Sequence, residues 1–198
     1  MKLRDIIKLS SIMLSLDDII TSEELYNEEF DIKDEKSIIF DGTSIERTIN
    51  LMIHCFNIIN SEIATDYFPL VSLETIEVKN GIFNLASLDH EFYKLVKLED
   101  KNFLSAKYEI YDNILYAKDG KYKIVYCYVP EKVTLNSEIN NFNGKVLDRV
   151  FAYGINKEYC FISGLYSEAD SYKTKFEESL KMAQMLKREI KLPKRRWE

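Results

Sequence analysis

Two histidines and three cysteines are the residues of this sequence best suited to acid–base, nucleophilic or metal chemistry, and their spacing supports none of it. His54 and Cys55 are adjacent in a helix-like stretch, where neighbours i and i+1 point in different directions, so the pair cannot act as base and nucleophile. His90-Glu91 stands at the start of a strand-like run. Neither histidine belongs to an H-E-x-x-H pattern or a Cys/His cluster, which leaves no metal spacing. Cys55, Cys127 and Cys160 are odd in number and far apart in apolar segments, the usage expected of buried free thiols in a reducing compartment. G-x-G-x-x-G, G-x-x-x-x-G-K-[ST] and G-x-S-x-G are all missing from the sequence. The expectation is a protein that is not an enzyme, with no cofactor, no metal and no catalytic residue. Tyrosine-rich strands can stack bases or sugars, but so few lysines accompany them that sheet packing or a protein interface is the better reading.

Composition narrows the class. In 198 residues the hydrophobic fraction is 46% and the charged fraction 30%, enough apolar side chain for a real core. A net charge of −6 argues against nucleic-acid binding through bulk charge. No apolar run approaches the length of roughly 18 residues that spans a membrane. The first residues, MKLRDIIKLSSIMLSLDD, carry early cations followed by Ile and Leu. Asp5, Lys8 and the serines break that run, and no small-residue cleavage site follows, so an amphipathic helix is expected, not a signal peptide.

Periodicity then divides the chain into three. Residues up to about 66 read as helices. Leu3, Ile6, Ile7, Leu9, Met13, Leu14 and Leu16 fit one or two short amphipathic helices. Residues 17–35 hold nine carboxylates against Lys33, expected to form a solvated face and loop. Thr43 or Ser44 followed by Glu46 looks like a capping box. From there Ile45, Ile49, Met52, Phe56, Ile59 and Ile63 recur every three or four residues, widened by Ile53, Cys55 and Ile58, until Pro69 intervenes. About 70–130 reads as strands, with turns at Asn80-Gly81, Asp100–Asn102, Asp112-Asn113 and Asp119-Gly120. Tyr122, Ile124, Tyr126 and Tyr128 alternate with Val125, Cys127 and Val129, the pattern of a strand inside a sheet. Two helices over 145–163 and 166–190 complete the pattern. Val146, Val150, Tyr153 and Leu147, Phe151, Ile155 form adjoining rows on the first; Tyr166, Ala169, Tyr172, Phe176, Leu180, Ala183, Leu186 and Ile190 form the stripe of the second. Gly164 is placed where a helix C′ residue needs positive φ. The expected class is α+β: N-terminal helices, a central antiparallel β meander, and a C-terminal αα-hairpin with an extended tail. The expected domains are 1–66 plus 144–198, helical, and 67–143, a β-strand domain or insertion.

The third region carries a more specific pattern. Arg149, Ala152, Tyr153, Gly154, Glu158 and Tyr159 fit R-x-x-A-Y-G-x-x-x-E-Y. Gly164, Tyr166, Glu168, Ala169, Tyr172, Lys175 and Phe176 fit G-x-Y-x-E-A-x-x-[WY]-x-x-[RK]-[FY]. With the ending LPKRRW and the helix-to-sheet stretch SEIATDYFPLVSLETIEVKNGIFNLASL, this resembles the head-to-tail adaptor and connector proteins of tailed bacteriophages and prophages. The resemblance is sharpest over 145–197, and the acidic 17–35 stretch has no counterpart in it. It implies a virion structural protein in the neck between capsid and tail, made in the bacterial host cytoplasm. Such proteins form an oligomeric ring, commonly a dodecamer. The implied partners are the portal protein, identical neighbouring subunits and a downstream tail or neck protein; DNA passes the lumen without specific binding, and no membrane is involved. The alternatives are a non-catalytic prophage-encoded interaction module, in which 145–190 is simply an amphipathic hairpin, or a nucleic-acid contact through the basic C-terminal tail.

The tail itself invites a partner. Residues 173–198 carry nine Lys/Arg against four Glu, +5, which leaves −11 on the rest of a chain whose net charge is −6. A basic end on an acidic body orients one molecule against another. Pro193 ends the long helix, and Lys194, Arg195, Arg196 and Trp197 follow, the last being the sole tryptophan. Trp and Arg are the types most enriched at interface hot spots, so Lys194–Trp197 is the expected partner-binding segment.

Overall fold

The computed structural model describes residues 2–26, 43–102, 104–139, 142 and 144–185. The fold is α+β, and the chain divides into two compact units: residues 1–59 with 133–198, and residues 60–132.

In the helical unit, α1 (Leu3–Met13) and the single turn α2 (Asp17–Ile20) precede α3 (Ser44–Glu62), whose residues from Asn60 on, with the turn that follows, are counted in the second unit. α3 starts at a reciprocal capping box: Glu46 N–H donates to Thr43 Oγ1 and Thr43 N–H to a Glu46 carboxylate oxygen, each at 3.1 Å. Ile49, Met52, Ile53, Cys55, Phe56 and Ile59 are all fully buried, so α3 is covered on more than one side. Ile58, expected to widen that stripe, is 52% exposed instead, because the period carries it round to the far side of the helix from Phe56 and Ile59. Past Glu62 the helix loosens into a π turn over Ile63–Tyr67, closed by Phe68 N–H on Ile63 O, and Pro69 supplies no further donor.

Residues 133–139 belong with the helices, although the sequence pattern groups them with the strands. Leu3 and Arg4 N–H, two donors that the first turn of α1 cannot satisfy internally, bond to the carbonyls of Ser137 and Leu135. The Asn57 side chain pairs with both backbone groups of Val133, as a strand would. Leu135 and Phe142 are buried, the latter stacked at 6.3 Å from Phe151.

α4 (Asp148–Ile162) and α5 (Tyr166–Met185) form the C-terminal hairpin. Their corner is a Schellman motif: Gly164 N–H bonds to Phe161 O, Leu165 N–H to Cys160 O, and Gly164 has φ +77°. Val150, Phe151, Ala152, Tyr153 and Ile155 of α4 and Ala169, Phe176 and Leu180 of α5 are buried. Two positions depart from the expected apolar rows. Leu147 is 68% exposed because it is the extended N-cap residue of α4, outside its first turn; Tyr166 is 65% exposed because it opens α5 at the corner, beyond the neighbours that cover the rest of its stripe.

The described residues of the second unit form six strands in two antiparallel three-stranded sheets. β1 (Leu70–Val78), β6 (Gly120–Tyr128) and β3 (Phe92–Asp100) pair in the order β1-β6-β3; β2 (Ile82–Asn84), β5 (Ile114–Ala117) and β4 (Tyr108–Tyr111) pair in the order β2-β5-β4. β6 is the central strand that its two-sided pattern suggests. The tight turns fall at Asn80-Gly81 and Asp112-Asn113, all four residues having positive φ as a type I′ turn requires. Asp119-Gly120 is no hairpin turn: it carries the chain from β5 in one sheet to β6 in the other. The Asp100 carboxylate accepts from Asn102 and Leu104 N–H, shaping the way from β3 to β4. Ile76, Val78, Leu98, Ile124 and Tyr126 from one sheet meet Leu115 and Phe83 from the other in a common core.

Candidate interaction surface

Most of the residues that carry the sequence pattern fall into two groups in space. The first lies inside the hairpin. Gly154 faces α3 and α5: a Cβ there would sit 2.6 Å from Ile59 Cγ2 and 3.0 Å from Phe176 Cε2. Phe176 is fully buried there, and Ala152 and Ala169 are buried elsewhere on the two helices. Beside it Ser10 donates its hydroxyl to the buried Asn156 side chain, which ties α1 to α4.

The second group forms a ladder of cations and rings across the two helices. Arg149 lies 5.2 Å from the Tyr153 ring centre, and Lys175 lies 5.9 Å from Tyr153 and 5.2 Å from Tyr172. The two tyrosine rings are 6.3 Å apart. Each such contact is worth about 0.5–1 kcal/mol where solvent reaches it. Tyr172 donates its hydroxyl to Met13 O at the end of α1, and burial raises its pKa. The ladder holds α5 on α4 and leaves Arg149 and Lys175 exposed. Glu158 is half-buried and pairs with Lys157 at 3.1 Å, while Glu168 is exposed.

Two apolar surfaces flank the ladder at opposite ends of the hairpin. Where α4 begins and the described part of α5 ends, a groove of about 630 Å³ is lined by Leu147, Val150, Tyr153 and Met182, with Lys145 and Arg149 as its charged members among the described residues. Leu147 and Met182 expose 68% and 67% of their surface. At the Gly164 corner, residues 161–168 are exposed without a break, including Phe161, Ile162, Leu165 and Tyr166. Phe161 and Tyr166 stand edge to face at 5.8 Å. From 161 to 170 the charges are Glu168 and Asp170 alone. Neither surface follows from periodicity, which places the helix stripe but cannot say where neighbours stop covering it. The available signal was local: Phe161, Ile162 and Leu165 are apolar at positions off the stripe.

The candidate chemistry-bearing residues are scattered. The His90 ring stacks on Tyr128 at 4.3 Å, and its backbone N–H donates to Tyr126 Oη. Tyr126 is fully buried and donates to the Glu74 carboxylate; burial first, and that bond second, push its pKa up to about 12. Glu74 also accepts from Asp89 N–H, so the cluster fastens the loop before β3 onto β1 and β6. Cys55, Cys127 and Cys160 are free and buried, and burial, reinforced by Glu158, pushes the Cys55 thiol up to about 12. A thiol so far from ionised is a poor nucleophile. Among the described residues no three His, Cys, Asp or Glu side chains come together as metal ligands, and no helix is long and apolar enough to cross a membrane. Lys194, Arg195, Arg196 and Trp197 lie outside the described residues, as do 186–190 of the second expected hairpin helix.

No protein-family model matches the chain, and no curated protein matches it.

Proposed function

We propose that this protein is a non-catalytic virion structural protein, a head-to-tail adaptor that joins identical copies in a ring beneath a phage portal and receives a tail or neck protein on its other side. The observation that carries this reading is the division of labour among nine of the thirteen residues of the pattern. Gly154, Ala152, Ala169, Gly164 and Phe176 make a tight helical hairpin, while Arg149, Tyr153, Tyr172 and Lys175 assemble into one partly exposed ladder on it. Residues selected to build and present a helical hairpin are what an assembly protein needs; a catalyst would need converging nucleophile, acid and base. In this reading Lys194–Trp197 bind the portal or a neighbouring subunit, the acidic body repels passing phosphates, and the neck of the virion is the place of action.

Mixing the purified protein with the portal protein from the same genome tests this. Co-migration of the two supports the adaptor, and loss of co-migration on removing 193–198 assigns the contact to the tail. A gel shift of DNA by the intact protein at physiological salt, abolished by the same truncation, supports the nucleic-acid alternative instead. Portal binding and DNA shift both absent leave the reading without support and favour an interaction module with another partner.

A further inference from the structure

We infer that the two ends of the α4–α5 hairpin are complementary halves of one self-association contact: the Gly164 corner of one copy seats in the Leu147–Met182 groove of the next. The corner is convex, a Schellman turn that projects Phe161, Ile162, Leu165 and Tyr166 into solvent. The groove is concave and mostly apolar, with Val150 and Tyr153 beneath the exposed side chains of Leu147 and Met182. Contiguous exposed apolar surface of this kind marks an interaction site. Charge selects the pairing. Among the described residues the charged members of the groove are the cations Lys145 and Arg149, whereas Glu168 and Asp170 at the corner, with Lys157, Glu158 and Lys173 beside Phe161, leave that end net negative. Groove against groove would oppose like charges, whereas corner against groove brings opposite net charges together. Methionine suits such a groove, because its flexible thioether adapts to an inserted ring.

Geometry sets what the contact builds. α4 has fifteen residues, so the two surfaces lie about 22 Å apart along its axis at 1.5 Å per residue. They are different patches on one molecule, hence the contact is heterologous: each copy offers one of each, and the series closes into a ring or grows as a filament. This supplies the side-to-side contact that an adaptor ring requires, but it rests on the free protein's own surfaces and stands or falls apart from portal binding.

Sedimentation of the full chain and two double variants tests it. Phe161→Gln/Tyr166→Gln disables the corner and Leu147→Gln/Met182→Gln the groove; all four side chains are more than 60% exposed, so both variants should fold. The wild type is expected to gain mass beyond a dimer as concentration rises, and to lose it in high salt. Each variant alone should remain a monomer. An equimolar mixture should give a one-to-one dimer and nothing larger, since one intact corner and one intact groove remain. A wild type that stays monomeric at its highest soluble concentration overturns the inference, as does either variant assembling normally. So does a mixture that stays monomeric while the wild type assembles, which would mean that the contact is not corner to groove. None of these outcomes bears on whether the protein binds a portal.

Discussion

Gly154 of α4 approaches Ile59 of α3 so closely that a methyl group at Gly154 would lie 2.6 Å from Ile59 Cγ2. Ile59 is fully buried and cannot swing away. Gly154→Ala should therefore destabilise the protein by about 1–2 kcal/mol, overpacking outweighing the gain of roughly 0.5–1 kcal/mol in helix propensity. Ile59→Ala removes the clashing atoms and alone costs about 2–5 kcal/mol. In the double variant the two losses should not add. Denaturant unfolding of all four proteins checks this, and strict additivity would mean that the helices do not meet at this point.

Gly164 makes the opposite case. Its φ is +77° and a methyl group there would find nothing within 4 Å, so the strain of a substitution is in the backbone alone. Gly164→Val should cost about 1–2 kcal/mol or more, and Gly164→Asn clearly less, because Asn tolerates the left-handed region. Equal unfolding curves for the two variants would contradict the corner geometry.

Alkaline pH should loosen the strand unit through Tyr126. Its pKa is raised in the folded protein, to about 12, against about 10 for an exposed tyrosine. The folded state thus holds this proton more tightly than the unfolded one. The contribution is fully present below pH of about 10 and is lost as pH rises toward 12. Cys55, also raised to about 12 from an unfolded value near 8.5, acts with the same sign in the helical unit. Tyr126→Phe should lower stability at neutral pH by about 1–2 kcal/mol, through the lost bond to Glu74. It should also flatten the fall between pH of about 10 and 12. A variant whose stability falls as steeply as the parent's would place the titrating group elsewhere.

The same burial predicts that Cys55 resists thiol reagents in the native protein and reacts only after denaturation. Timed labelling followed by peptide mapping reads this directly; rapid native labelling of Cys55 would mean that α3 opens.

Local signals account for what could be read in advance. The Thr43–Glu46 box, the Gly164 corner and the Asn80-Gly81 and Asp112-Asn113 turns each depend on a few adjacent residues, and each is present. The pairing of β1 with β6 joins residues far apart in the chain, as in Leu70 with Tyr128, and no local pattern encodes it. The allegiance of 133–139 to the helices was equally hidden. It depends on Leu3, Arg4 and Asn57 finding backbone partners there, and on Leu135 and Phe142, two apolar residues in a stretch with no period. The site was legible in part. The pattern residues Arg149, Tyr153, Tyr172 and Lys175 do come together, but the exposed corner and groove arise from where packing stops, which sequence does not record.

The adaptor proposal places the tail contact on Trp197. Trp197→Ala should weaken portal binding by about 2 kcal/mol, roughly thirtyfold, and leave the melting temperature of the free protein unchanged. A drop of several degrees with binding intact would place the indole on its own domain.

The adaptor reading is tested most directly by imaging the purified protein mixed with its portal protein by negative stain. The predicted result is a ring of this protein on one face of the portal, coaxial with the channel and present in repeated copies. A portal that remains bare at saturating concentrations, with the mixture sedimenting as two separate species, would contradict it.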